Sequence, residues 1–263
     1  MRREHTRVCD SRNPHGLAEI AEPCTLAGMH VETLGSGPRL VLVHGSVGNG
    51  AVTWSEQRPL AERFTLVVVD RPGYPPNSPL ERIDFEEQAD EIADLLEPGD
   101  HLVGHSYGGV ISLLAAARKV PRSLTVCEPP AFGVARGHTA VEEFLARFPE
   151  APGDPRGYLE FFLPLVGSEI KLPDPLPPDL EAGARAALAE RPPHEAQIPL
   201  DELAAAPYSK LVTSGAHNAA FDAVCDVLEE RLGAKRAVLP GAGHSIPRAP
   251  GFNDVLAEFL TRA

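Results

Sequence analysis

An α/β fold built on a mostly parallel sheet is what this sequence of 263 residues predicts, and three observations carry that expectation. Short apolar runs rich in β-branched residues recur along the chain. They are continuous rather than alternating, as strands covered on both faces by helices require. Helix-length stretches separate them, the order that winds a parallel sheet.

The elements follow in chain order. The first 24 residues are polar and without clear period, and are expected to form an arm over residues 1–24. Strands are predicted at Arg39 to Gly45, Thr65 to Asp70, His101 to Gly104 and Ser123 to Glu128, with helices over Phe85 to Leu96 and Val110 to Arg118. Over residues 131–206 the alternation fails: prolines crowd and helix-length amphipathic pieces replace strands. An insertion there, between two core strands, is where a mobile helical lid is expected, leaving residues 25–130 and 207–263 as the core. Beyond it come strands at Lys210 to Gly215 and Arg236 to Gly241, and a helix over Phe221 to Leu232. In the last helix Phe252, Val255, Leu256, Phe259 and Leu260 recur at helical spacing, a stripe that packs on the sheet.

Composition narrows the function. With 24 Lys and Arg against 37 Asp and Glu the net charge is −13, which repels phosphate backbones, so nucleic acid is not expected as a partner. No apolar run approaches the roughly 18 residues that span a bilayer, so no membrane partner is expected either. The basic N-terminus is followed by no apolar segment and does not read as a secretory signal, which predicts a cytoplasmic setting. Cys9, Cys24, Cys127 and Cys225 lie far apart with no C-x-x-C pair and are expected as free thiols, Cys9 and Cys24 being the pair able to close a loop. With no H-E-x-x-H, Walker loop or strand-linked G-x-G-x-x-G, neither metal nor cofactor is expected.

The chemistry centres on Gly104-His105-Ser106-Tyr107-Gly108, directly after one predicted strand and directly before a helix. That is the setting G-x-S-x-G needs, because the turn is so tight that its flanks tolerate only small residues. A serine hydroxyl needs a neighbouring base to attack at neutral pH. Of ten histidines, His244 lies after the last predicted strand, at the same end of a parallel sheet as Ser106, where ligand sites of open sheets lie. His44 and His105 are expected to orient loops, and His5, His15, His30, His101, His138, His194 and His217 to be surface or packing residues. An oxyanion needs preorganised N–H donors. One is expected from Tyr107, and the other from the loop His44-Gly45-Ser46-Val47-Gly48, with Ser46 first and Val47 as the alternative.

Taken together, the segments around His44, Asp70, Ser106 and His244 resemble the α/β-hydrolase superfamily of serine hydrolases, over residues 28–128 and 208–260. The resemblance implies an eight-stranded, mostly parallel sheet, a lid after strand six and a Ser, acid, His triad. Two departures stand out. The commonest family pattern has its aspartate where this chain has Asn218, and an amide cannot stabilise an imidazolium as a carboxylate does. Some members supply the acid after strand six instead, which points to Glu128, with Asp222 or no functional acid as the alternatives. The second departure is Pro75, standing in Asp70-Arg71-Pro72-Gly73-Tyr74-Pro75 where the family usually has a glycine; it stiffens a pocket-bordering loop to which no chemical role is assigned.

The expectation is therefore a cofactor-free serine hydrolase cleaving a small hydrophobic ester or lactone through an acyl-Ser106 intermediate. Phe132, Phe144, Phe148, Tyr158, Phe161, Phe162, Leu163 and Leu165 offer the insertion an apolar lining. Two alternatives stay open. The same triad can run C–C cleavage, elimination or lactonisation, since fold does not fix chemistry. A non-catalytic ligand-binding member would account for Asn218.

Overall fold

The computed structural model describes residues 21–26, 29–168 and 171–263. Residues 1–20, most of the expected arm with Cys9, lie outside the described residues, so the loop between Cys9 and Cys24 does too.

The sheet runs β1 (Ala21–Leu26), β2 (Met29–Leu34), β4 (Thr65–Asp70), β3 (Arg39–Val43), β5 (His101–His105), β6 (Ser123–Cys127), β7 (Ser209–Ser214) and β8 (Lys235–Val238). From β4 to β8 every pairing is parallel, and β2 pairs antiparallel with β4. All eight strands are hydrogen-bonded in this one sheet, with β2 to β8 forming its body and β1 hairpinned antiparallel onto β2 at its edge. Two corrections follow. Residues 21–24, assigned to the arm, are strand, with Ala21 opposite Thr33 and Cys24 opposite Val31. The strand β2 has no counterpart in the predicted runs, because it buries Met29, Val31 and Leu34 but leaves His30 and Glu32 partly exposed, and so lacks a continuous apolar stretch.

Period-two alternation divides the strand side chains between two cores. Val41, Val43, Val67, Val69, Leu124, Val126 and Val212 face one, under α2 (Phe85–Leu95), α3 (Tyr107–Arg118) and α8 (Ala219–Leu232). Leu40, Leu42, Leu66, Val68 and Leu211 face the other, under α9 (Phe252–Arg262) and Trp54, which caps the short helix α1 (Gly50–Thr53). In α9, Phe252, Leu256, Phe259 and Leu260 are buried, each contributing roughly 2 kcal/mol of apolar burial. Asp84 caps α2 by accepting from the Glu86 N–H at 2.8 Å, and Asn218 caps α8 by accepting from the Ala220 N–H at 3.0 Å.

Between β6 and β7 lie α4 (Thr139–Leu145), α5 (Pro155–Leu165), α6 (Pro178–Leu188) and α7 (Leu200–Ala205). The pair α5 and α6 closes a small core of its own on Leu159, Leu163 and Ala184. Its return to the sheet domain is fixed by main-chain bonds: Ile83 N–H donates to Ala189 O and Arg191 N–H to Ile83 O, both at 2.8 Å. No helix among the described residues is long and apolar enough to cross a membrane.

Candidate active site

The turn from β5 into α3 explains its own glycines. A Cβ on Gly104 would meet Gly108 O and Ser112 Oγ at 2.4 Å, and one on Gly108 would meet His44 O at 2.3 Å. Ser106 sits between them at φ 52°, ψ −125°, a strained conformation that lifts its side chain from the sheet edge. Four non-glycine residues among those described have positive φ: Val47, Ser106, Glu128 and Ala216. Each belongs to a loop that borders Ser106 or Glu128, so the backbone strain of the molecule is concentrated here.

A line of hydrogen bonds crosses the carboxyl end of the sheet. Ser106 Oγ lies 2.8 Å from His244 Nε2, and His244 Nδ1 lies 2.8 Å from Glu128 Oε2. Ser106 and His244 are nearly buried, and Glu128 is wholly buried. Its second oxygen, Oε1, accepts the Gly215 N–H at 2.6 Å and faces His217 Nδ1 at 3.3 Å. Burial alone would raise the Glu128 pKa, but His217, His244 and the Gly215 amide outweigh it and hold the carboxyl down at about 2. The same contact raises His217, whose Nε2–H donates to Val166 O at 3.0 Å. With that tautomer fixed, Nδ1 faces Oε1, and the carboxylate favours a proton on that nitrogen, the direction in which His217 is shifted.

The candidate acids separate cleanly. Asn218 Oδ1 is spent on its helix cap, and its Nδ2 donates to Leu165 O at 3.3 Å. Asp222 points to Arg236, 3.5 Å away, rather than to His244. His217, by contrast, carries more than the packing role expected of it. The available signal was its place in Gly215-Ala216-His217-Asn218, the loop where the family usually keeps its acid.

The two loop histidines are both neutral. His105 donates from Nε2 to His244 O at 2.7 Å, and burial lowers its pKa to about 3. His44 donates from Nδ1 to Gly45 O at 2.7 Å and accepts at Nε2 from the Arg71 N–H at 3.0 Å, with burial holding its pKa well below the usual value. No acceptor meets the Ser46 or Tyr107 N–H among the described residues, which leaves both free beside Ser106.

Arg71, in the loop without an assigned role, proves central to packing. Its guanidinium is buried between the Tyr74 and Tyr107 rings, at 4.5 and 4.9 Å from their centroids. It donates to Gly45 O at 3.0 Å, to Gln88 Oε1 at 2.9 Å and to Glu190 Oε1 at 2.6 Å. Removing one partner of a pair so buried costs about 3–5 kcal/mol.

A cavity of about 660 Å³ is lined by Ser46, Ser106 and Tyr107 and by Phe132, Phe144, Phe148, Tyr158, Phe162 and Phe221. Phe161, Leu163 and Leu165 pack elsewhere: Leu163 into the α5–α6 core, Leu165 and Phe161 against the sheet core. Among the described residues, Glu128, His217 and His244 are the cluster whose donor types would suit a metal, within 4.8 Å of one another. Those atoms already hold one another, so the cluster reads as a proton-handling site.

Known proteins agree with this architecture. The alpha/beta hydrolase family profile matches residues 40–253. A pimeloyl-[acyl-carrier protein] methyl ester esterase of Aeromonas salmonicida is 36% identical over 155 residues, 53% of this chain and 58% of that protein. One of Methylococcus capsulatus is 33% identical over 175 residues, 64% of this chain and 66% of that protein. The chain therefore spans less than two thirds of the length of these relatives. A crystal structure of an alpha/beta hydrolase from Sphaerobacter thermophilus superposes with a TM-score of 0.65 at 26% identity, covering 90% of this chain and 99% of that one. The profile covers most of the chain, and the chain belongs to the α/β-hydrolase family.

Proposed function

We propose that the chain is a cofactor-free serine hydrolase that cleaves a small hydrophobic ester. The observation that carries the reading is the unbroken line from Ser106 Oγ through His244 to Glu128, at 2.8 Å on each side of the imidazole. Ser106 Oγ attacks the ester carbonyl while His244 Nε2 takes its proton, and Glu128 holds the imidazole tautomer and stabilises the imidazolium. The Ser46 and Tyr107 N–H groups receive the oxyanion. His244 then protonates the leaving alcohol, and water, deprotonated by the same nitrogen, frees the acid from acyl-Ser106.

The aromatic lining of the cavity supports a hydrophobic acyl or alcohol group, and the segment over residues 131–206 serves as the lid. The relatives act, by their names, on a methyl ester, which favours an ester with a small alcohol over a lactone. Their carrier protein is a weaker guide. The aromatic lining of the cavity fits a free small molecule, and that is the substrate proposed. A cytoplasmic setting completes the proposal.

The test is intact-protein mass after exposure to a fluorophosphonate, with Ser106→Ala as control. One adduct that vanishes in the variant supports an activated serine; an unmodified, folded protein refutes the reading. Turnover of p-nitrophenyl esters against γ-lactones then separates ester from lactone.

A further inference from the structure

The peptide that presents the Ser46 N–H is gripped by three hydrogen bonds, two of which involve Glu190 or its ion-pair partner Arg71. A trans peptide is planar, so fixing its carbonyl fixes the opposite direction of its N–H. Gly45 O, the carbonyl of the Gly45–Ser46 peptide, accepts from His44 Nδ1 at 2.7 Å and from Arg71 Nη2 at 3.0 Å. The Ser46 hydroxyl donates to Glu190 Oε2 at 2.5 Å. Glu190 Oε1 in turn accepts from Arg71 at 2.6 Å and from the Tyr74 hydroxyl at 2.7 Å. The Glu190 side chain is only 6% exposed, so these are charge-assisted bonds in a desolvated setting.

The second oxyanion donor is tied to the same place. The Tyr107 hydroxyl donates to Arg191 O at 2.9 Å. Two consecutive residues just after α6 thus hold the side chains of both residues whose amides face the reacting carbonyl, and the main-chain bonds of Ile83 to Ala189 and Arg191 fix that segment.

We propose that Glu190 is a positioning residue, which sets the Ser46 N–H of the oxyanion hole through the Ser46 hydroxyl and the Arg71 guanidinium. The inference rests on the hydrolase reading above and adds to it a side-chain duty for Ser46, which that reading uses only through its amide. It also explains a buried carboxylate beside a nucleophile that the triad does not employ. Glu190 neither receives a proton nor touches the carbonyl; it restricts where one donor points, and oxyanion donors act only when preorganised.

Ser46→Ala separates the two duties, because it keeps the amide and removes the hydroxyl. Glu190→Gln keeps the shape and removes the charge. With p-nitrophenyl butyrate, Ser46→Ala is expected to lower kcat about tenfold with KM nearly unchanged, a fraction of the loss seen when an oxyanion donor is deleted outright. Affinity for an aliphatic trifluoromethyl ketone, whose hemiketal on Ser106 carries the oxyanion, should fall by the same factor as kcat/KM, while the midpoint of the pH–rate profile stays in place. Glu190→Gln should lose at least as much, and the double variant no more than Glu190→Gln alone, since the hydroxyl acts through the carboxylate. Should Glu190→Gln fail to fold, Ser46→Ala carries the test by itself. A Ser46→Ala protein that keeps both kcat and ketone affinity overturns the inference. A wild-type chain that takes no fluorophosphonate on Ser106 overturns the hydrolase reading and this inference with it, a different result from a labelled wild type with an indifferent Ser46.

Discussion

At the scale of the residue, Glu128 answers to two imidazoles, one on each carboxylate oxygen. Glu128→Gln is expected to lower kcat by about 10³–10⁴ with KM little changed, the loss known for a triad carboxylate turned into an amide. Asn218→Ala and Asp222→Asn should leave kcat within about twofold; the former instead loses an N-cap worth about 1 kcal/mol, read as a fall in Tm. The two charges also stabilise the fold over a defined pH window. The Glu128 pKa falls from 4.5 to about 2 on folding, so its contribution is complete above 4.5 and is lost as pH falls towards 2. His217 is raised above 6.5 on folding, so its contribution is complete below 6.5 and is lost as pH rises through the folded value. Denaturant unfolding of wild type and His217→Gln should therefore show the largest wild-type advantage between those limits, shrinking in both more acidic and more alkaline buffer. Ser106, Glu128 and His244 were legible in the sequence because each follows a strand that announces itself by local composition. His217 was not, since its partner lies on a different strand and only the fold brings the two together.

At the scale of the element, α6 is the helix that meets the oxyanion loop, and it does so through a glycine. A Cβ on Gly183 would approach Val47 O to 1.8 Å, and that atom is backbone. Alanine gains about 1 kcal/mol over glycine in a helix interior, so propensity by itself predicts a more stable Gly183→Ala. The contact predicts the reverse for function: α6 or residues 46–48 must shift, and kcat should fall by at least about tenfold whatever Tm does. Steady-state kinetics alongside thermal unfolding decide between them. The parallel strands and their helices were readable to within three residues at each end, because burial on both faces writes a continuous apolar run. The edge hairpin of β1 and β2 escaped because its pattern is half polar. The part played by Arg71 escaped for another reason: an arginine in a loop reads as solvated until the glutamate that neutralises it arrives from more than a hundred residues away.

At the scale of the whole molecule, a sheet that fixes the chemistry meets an insertion that shapes the cavity, and the boundary between them was visible where strand signals gave way to proline. Which aromatic side chains line the cavity was not visible, since helix phase alone does not say which face of a short helix meets its neighbour. Ala146 is exposed and lines the cavity, so a bulky side chain there narrows the space without disturbing a core. Ala146→Trp should shift the preference among p-nitrophenyl esters towards shorter acyl chains, measured as kcat/KM across the series, with Tm within about 2 °C of wild type. The order in which the triad is assembled has a further consequence. Ser106 and Glu128 stand on adjacent strands, joined by the Ser106 N–H to Cys127 O at 2.8 Å, whereas His244 follows the last strand and precedes α9. A ribosome working from the N-terminus therefore makes Ser106 and Glu128 more than a hundred residues before His244. Through that interval the growing polypeptide carries Ser106 and Glu128 without the imidazole that links them in the folded chain.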